Sequence, residues 1–92
     1  MPQLFKFGKY IIYLWSDEGF PVEPVHVHVS KGRPSREATK VWITKSQKAL
    51  VCHNKSRIPK HELNLICRFL EANSDLIITA WKDHFSELSY YC

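Results

Sequence analysis

The chain has 92 residues, of which 45% are hydrophobic and 13% aromatic, and its net charge is +4. This length predicts a single domain over residues 1–92, with one modest core and no room for a large cofactor-binding fold. Its apolar runs are far shorter than the roughly 18 residues that cross a bilayer, and its start lacks the pattern of a signal peptide. We therefore expect a cytoplasmic protein with no membrane partner and no cofactor.

Positive charge is concentrated in the middle of the chain. Residues 31–60 carry nine basic residues and one acidic residue, a net charge of +8, whereas the segments on either side are net acidic. Such a segment attracts nucleic acid, another polyanion or an acidic protein surface, and a set of solvated loops is the alternative. The candidate nucleic-acid- or anion-binding residues are Lys31, Arg33, Arg36, Lys40, Lys45 and Lys48.

Residues 1–55 are predicted to be mainly β. The pair Gly8-Lys9 separates two aromatic and β-branched runs and suits a two-residue hairpin turn. Residues 16–24 contain Gly and two prolines and are expected to form a loop. The predicted strands are residues 3–7, 10–15, 25–29, 37–43 and 49–53, the last being the least regular.

Residues 58–89 are predicted to be helical, because the apolar spacing changes to the helical period after Pro59. We expect Asn73 in a left-handed conformation to end a first helix, and one bent helix is the alternative. The apolar stripe of the second helix comprises Ile77, Ala80, Trp81, Phe85 and Leu88. Strands followed by helices predict an α+β fold. Its antiparallel sheet has four to five strands and is followed by two C-terminal helices packed on one face, with Trp81 and Phe85 buried.

The three cysteines, Cys52, Cys67 and Cys92, are far apart and odd in number. The sequence has no CxxC pair, which argues against a disulfide framework and against a thiolate zinc site. We expect all three to be unpaired thiols.

Two histidines stand two residues apart in the valine-rich stretch "PVEPVHVHVSKG". On a strand, His26 and His28 point to the same face, about 6.6 Å apart at Cα. They could act as general base and general acid on a phosphodiester, or be plain polar surface of the sheet. As ligands of one metal ion they would need a third group. Because acidic residues are scarce nearby and the other histidines are scattered, we assign no metal site.

Burial energetics predict which face of this strand is covered. Packing Val25, Val27 and Val29 under the helices stabilises the fold, whereas burying imidazoles without partners destabilises it. We therefore predict that both histidines are at least partly accessible to solvent. Nearby Lys31, Arg33 and Lys40 are expected to lower the histidine pKa values and to favour an anion between the rings.

Several motifs together resemble a known family. They are a short N-terminal hairpin, "EPVHVHV", a basic turn leading to "ATKVWI", and the C-terminal "ITAWKDHF". This combination resembles the small bacterial proteins grouped as domain of unknown function 4160, over nearly the whole chain. The resemblance implies an α+β fold and a place in toxin–antitoxin-like two-gene modules, but it implies no known reaction.

Two classes of function remain open. The leading hypothesis is a small basic protein that binds RNA, DNA or an acidic cognate partner protein within such a module. The alternative is a metal-independent ribonuclease in which His26 and His28 act with Lys40 or Arg33, a metal-binding enzyme being the weaker version. An open sheet edge at 3–15 or 49–53 would also permit a homodimer.

Overall fold

The computed structural model describes residues 3–15 and 23–92, and it has an α+β fold. The strands are β1 (Gln3–Phe7), β2 (Tyr10–Tyr13), β3 (His26–Lys31), β4 (Thr39–Ile43) and β5 (Ala49–His53), and the helices are α1 (Lys60–Ala72) and α2 (Ser74–Phe85). The five strands form one antiparallel sheet in the order β1-β2-β3-β4-β5. Within the described part of the chain, neither helix is long and apolar enough to cross a membrane.

The hairpin of β1 and β2 has the predicted two-residue turn. Phe7 pairs with Tyr10, which leaves Gly8 and Lys9 as the turn. Gly8 has φ 60°, a backbone conformation that glycine adopts without steric cost. The second predicted strand ends earlier than expected, at Tyr13, and most of the predicted loop, residues 16–22, lies outside the described residues.

The main core lies between one face of the sheet and the two helices. Val25, Val27 and Val29 are fully buried. They belong to one cluster with Ile66, Leu70, Ile77 and Trp81 of the helices. The prediction that the valines pack under the helices is therefore confirmed, as is the burial of Trp81, whereas Phe85 is only half-buried.

Asn73 joins the two helices in a conformation that differs from the prediction. Its φ is −115°, so the expected left-handed turn is wrong. Its carbonyl already accepts a hydrogen bond from the Ile77 N–H, at 3.1 Å, and so belongs to the first turn of α2. The Asn73 side-chain amide donates to the Phe69 carbonyl at 2.8 Å. The chain passes directly from one helix into the next, and a left-handed reversal is not needed.

The C-terminal residues return to the sheet. The carbonyl of Ser89 accepts a hydrogen bond from the Val25 N–H at 3.0 Å. Tyr91 stacks on Trp42, with 4.9 Å between ring centroids and 2° between ring planes. This tail therefore covers part of the sheet face that the helices leave open.

The three cysteines are free thiols. Cys52 and Cys92 are exposed, and Cys67 is half-buried in α1. Burial, together with the nearby Glu71 carboxylate, raises the pKa of the Cys67 thiol. A raised pKa keeps this thiol protonated and weakly reactive at neutral pH.

Candidate nucleic-acid interface

The two histidines of β3 lie side by side but in different environments. Strand alternation directs His26 and His28 to the same face of the sheet, opposite the valines. Their ring centroids are 5.0 Å apart and the ring planes are nearly perpendicular. His26 is fully buried, whereas His28 is partly exposed. The prediction that both are accessible is therefore wrong for His26.

Contacts from distant parts of the chain bury His26. Its ring centroid is 5.5 Å from that of Trp42 and 5.0 Å from that of Trp81. Its Nδ1 lies 2.8 Å from the Pro24 carbonyl, which can only accept, so Nδ1 carries the proton. Burial lowers the pKa of His26 to about 4. A buried, neutral, hydrogen-bonded imidazole positions other groups and cannot reach a substrate.

His28 belongs to a row of side chains that crosses four strands. Tyr13 pairs with His28, His28 with Lys40, and Lys40 with His53. The rings of Tyr13 and His28 stack, with 5.6 Å between centroids, and Trp15 lies 6.2 Å from His28. Directly paired residues of antiparallel strands share a face, so aromatic, imidazole and ammonium groups follow one another across the sheet.

Three residues of this row, His28, Lys40 and His53, form the floor of an open cleft of about 460 Å³, here called the histidine cleft. Its walls come from the end of β2, the β3–β4 loop and the segment after β5. The lining residues are Trp15, His28, Ser35, Arg36, Ala38, Lys40, His53 and Lys55. Of these, the sequence had pointed to His28, Arg36 and Lys40. It missed Trp15, His53 and Lys55, although alternation along 11, 13 and 15 could have placed Trp15 on this face.

Both imidazoles in the histidine cleft are neutral at physiological pH. Burial lowers the pKa of His28 to about 4, and the neighbouring His26 and Lys40 add to the effect. Burial also lowers the pKa of His53, followed by the charges of Lys55 and Lys40. The predicted direction for His28 is confirmed, but burial rather than cations is the main cause. A bound anion would reverse the shift by stabilising the protonated rings.

Lys40 is held in place by two neighbours. Its ammonium group donates to a Glu23 carboxylate oxygen at 2.5 Å and lies 4.5 Å from the centroid of the Trp42 ring. Only 15% of its side-chain surface is exposed. The ammonium is therefore fixed at the floor of the cleft, where an entering anion would compete with Glu23.

The remaining predicted basic residues divide between two regions. Lys31 lines a second cleft next to the first, and Arg33 is exposed in the β3–β4 loop. Lys45 and Lys48 are exposed in the turn after β4, at the far end of that strand from Lys40. Lys45 and Lys48 are close to the other basic residues in the sequence, but the sheet separates them from the cleft. Their role in anion binding therefore stays a prediction.

The arrangement favours binding of an anion. Among residues 3–15 and 23–92, no group of three or more His, Cys, Asp or Glu side chains could hold a metal ion. Arg36, Lys40 and Lys55 supply cationic donors in the histidine cleft, and Trp15 and His28 supply ring surfaces. Cationic side chains bind the phosphates of a nucleic acid, and aromatic rings stack on its bases.

The fold and the cleft define a small α+β protein with a basic, aromatic cleft on the sheet face that the helices leave open. The family model for the domain of unknown function DUF4160 matches residues 10–82, and the chain belongs to this family. The matched region contains every residue that lines the histidine cleft. No curated protein and no solved structure matches the chain at a significant level.

Proposed function

We propose that this protein binds single-stranded nucleic acid in the histidine cleft. The observation that carries the proposal is the convergence of Trp15, His28, Lys40, Arg36 and Lys55 around one open cleft. Positively charged grooves follow the phosphate backbone, and aromatic rings stack on bases. Imidazoles with lowered pKa values add a proton-linked contribution, because an anion in the cleft raises their affinity for protons.

Charge balance supports an anionic ligand. The lining contains two exposed cations, Arg36 and Lys55, besides Lys40, which pairs with Glu23, and none of the described lining residues is itself acidic. Residues 31–60 have a net charge of +8 and contribute Arg36, Lys40 and Lys55 to the cleft, so they would draw polyanions toward it. An acidic protein would complement the positive charge of the cleft but would not need ring surfaces in a concave site. Nucleic acid is therefore favoured over an acidic partner protein.

Fluorescence anisotropy with a labelled oligouridine and its DNA counterpart tests the proposal. Affinity should fall as salt is added, with a slope of log Kobs on log salt near −2, about −0.7 for each of three neutralised phosphates. The double variant Arg36→Gln/Lys55→Gln should bind at least about tenfold more weakly, by loss of two phosphate contacts. The matched control Arg68→Gln/Lys82→Gln removes the same charges from exposed positions on the helices and should bind like the wild type. An affinity that does not change with salt concentration, or an equal loss of affinity in both double variants, would contradict the proposal.

Metal-independent cleavage of RNA is a second candidate, favoured by the row His28–Lys40–His53. The sequence had paired His28 with His26, but His26 is buried, so His53 replaces it. One neutral imidazole would take the proton of the ribose 2′-hydroxyl as its oxygen attacks phosphorus. The other imidazole, protonated, would give a proton to the departing 5′-oxygen, leaving a 2′,3′-cyclic phosphate and a 5′-hydroxyl.

Incubation of RNA and DNA with the protein and a chelator tests this candidate. Cleavage should require the 2′-hydroxyl, show a bell-shaped pH profile centred below neutrality, and be lost in both His28→Asn and His53→Asn. Cleavage of DNA at a similar rate, or a fully active His28→Asn/His53→Asn variant, would rule it out. Binding without cleavage would leave the protein as a binding protein.

We propose that the protein acts in the cytoplasm of a bacterium, as part of a toxin–antitoxin-like two-gene module. Support comes from the resemblance of the chain to its family and from three cysteines that are free thiols. Co-expression with the product of the adjacent gene tests the module. A stable complex, or growth arrest relieved by one of the two proteins, is expected. Two proteins that neither associate nor affect growth would contradict it.

A further inference from the structure

A second cleft, of about 390 Å³, adjoins the histidine cleft. It is called here the serine cleft because three of its lining residues are serines. The lining residues are Lys9, Tyr10, Ser30, Lys31, Ser35, Ser56, Arg57 and Pro59. Three of them, Lys9, Lys31 and Arg57, are exposed cations. Its chemistry, three cationic side chains beside Ser35, suits the oxygens of phosphates, whereas the Ser30 and Ser56 hydroxyls donate to backbone carbonyls.

Ser35 lines both clefts and forms their shared border. The hydroxyl of Tyr13 fixes this border: it donates to the Ser35 carbonyl at 3.3 Å and accepts from the Ser35 N–H at 3.1 Å. Tyr13 also stacks on His28 in the row. The two clefts therefore keep a fixed position relative to each other, as a ligand that occupies both would require.

The loop that carries Arg57 is also held in place. Asn54 accepts hydrogen bonds from the backbone N–H groups of Arg57 (through its carbonyl, 3.0 Å) and Ile58 (through its side chain, 3.0 Å). Its side-chain amide donates to the Ile58 carbonyl at 2.9 Å. Arg57 itself has φ 55°, in the left-handed region that favours glycine. Its side chain lines the serine cleft, so its charge lies where a phosphate would enter.

We infer that the two clefts form one continuous track for a single nucleic-acid strand, with Ser35 at its middle. The strand runs from Lys9, Lys31 and Arg57 to Arg36 and Lys55, so the ligand is an extended strand rather than a mononucleotide or a free phosphate. This inference rests on the proposed function and extends it to a strand of at least about four nucleotides.

Comparison of short and long oligouridines, of about two and about ten nucleotides, tests the track. Arg57→Gly suits the local backbone and removes the charge, so the variant should fold at least as well as the wild type. It should bind the short oligouridine within about twofold of wild-type affinity, and the long one at least about fivefold more weakly, with a salt slope reduced by about 0.7. Gln47→Gly, which relieves the same strain at φ 67° in the distant β4–β5 turn, is the matched control and should change neither affinity.

The outcomes separate the track from the binding function. If no oligouridine binds the wild-type protein, both proposals are wrong. If both lengths bind equally well, or if Arg57→Gly weakens both to the same extent or neither, the track is wrong while binding in the histidine cleft stands. Thermal unfolding of Arg57→Gly, monitored by circular dichroism, verifies that the variant is folded in every case.

Discussion

The two imidazoles of β3 illustrate how neighbours assign different roles to the same side chain. His26 donates to the Pro24 carbonyl and is enclosed by tryptophan rings, so it is a neutral part of the core. His28 has one ring face against Tyr13 and lines an open cleft. A substitution at His26 should therefore change stability first, whereas a substitution at His28 should change ligand binding first.

We predict that stability falls in mild acid because of His26. Its pKa is about 4 in the folded protein against an ordinary value of 6.5. Between these values the unfolded chain binds a proton that the folded chain does not, so stability is complete above about pH 6.5 and decreases as pH falls toward 4. The loss from His26 should be roughly 2–3 kcal/mol at pH 4.

Urea unfolding at a series of pH values measures this effect. His26→Gln keeps a donor for the Pro24 carbonyl but cannot titrate, so it should lose a large part of the pH dependence, the remainder belonging to His28 and His53. The matched control is His61→Gln, the same substitution at an exposed position in α1. An unchanged pH dependence in His26→Gln would contradict the assignment.

Glu23 should restrain anion binding. It pairs with the Lys40 ammonium at the floor of the histidine cleft. Glu23→Gln removes a negative charge beside the anion and should raise oligouridine affinity roughly fivefold, since such a contact is worth about 1 kcal/mol in water. Anisotropy titration at low salt measures the change, and Glu87→Gln, exposed beyond α2, is the matched control. Weaker binding by Glu23→Gln would show that its ion pair with Lys40 is needed to shape the cleft.

At the scale of elements, α2 connects the core to the candidate site. Trp81 is fully buried, belongs to the main core cluster, and has its ring 5.0 Å from that of His26. Because β3 pairs with β4, the packing of Trp81 against His26 also helps to position Lys40 and His28. The helix thus supports the floor of the cleft from behind without contributing a lining residue.

Trp81→Ala should destabilise the protein by about 3–5 kcal/mol, because it leaves a large cavity beneath the sheet. The pKa of His26 should also rise toward its ordinary value, since the cavity admits water. Urea unfolding and an NMR titration of the imidazoles measure the two effects. Leu76→Ala, at an α2 position that is 60% exposed, should cost less than about 0.5 kcal/mol. A loss under about 1 kcal/mol for Trp81→Ala would mean that α2 does not dock as described.

At the scale of the whole molecule, the sheet separates two kinds of surface. One face carries the helices and the apolar core, and the other carries aromatic rings, histidines and the histidine cleft with its basic walls. The sequence supplies the charge in one segment, but the sheet and its loops direct part of that charge toward a single opening. Binding at such an opening should stabilise the whole fold by mass action.

A saturating oligouridine should therefore raise the melting temperature. At a free concentration about 100 times Kd, the gain in stability is about 2.7 kcal/mol. Differential scanning calorimetry with oligouridine and with polyglutamate of equal charge measures it. A larger increase with polyglutamate than with oligouridine would favour an acidic protein partner over nucleic acid.

The sequence by itself determined the order of the strands and helices and the buried face of the sheet, although not the end of β2 or the conformation of Asn73. Alternation at 25–29 and helical spacing after Pro59 depend only on residues close in the chain, and burial of the valines outweighs the other register by several kcal/mol. The choice of His28, Arg36 and Lys40 as candidate site residues could also be made at this level, because charge and strand alternation are local properties.

Only the tertiary structure decided which histidine is accessible to a ligand and which residues line the cleft. His26 is buried by Trp81, which follows it by more than fifty residues, a contact that no local pattern encodes. His53 joins the row through an irregular register between Lys40 and Val41, and Lys55 enters with the loop that follows. Burial of a polar group depends on partners brought from afar, whereas burial of a valine needs only any apolar neighbour. The site was therefore less predictable than the core.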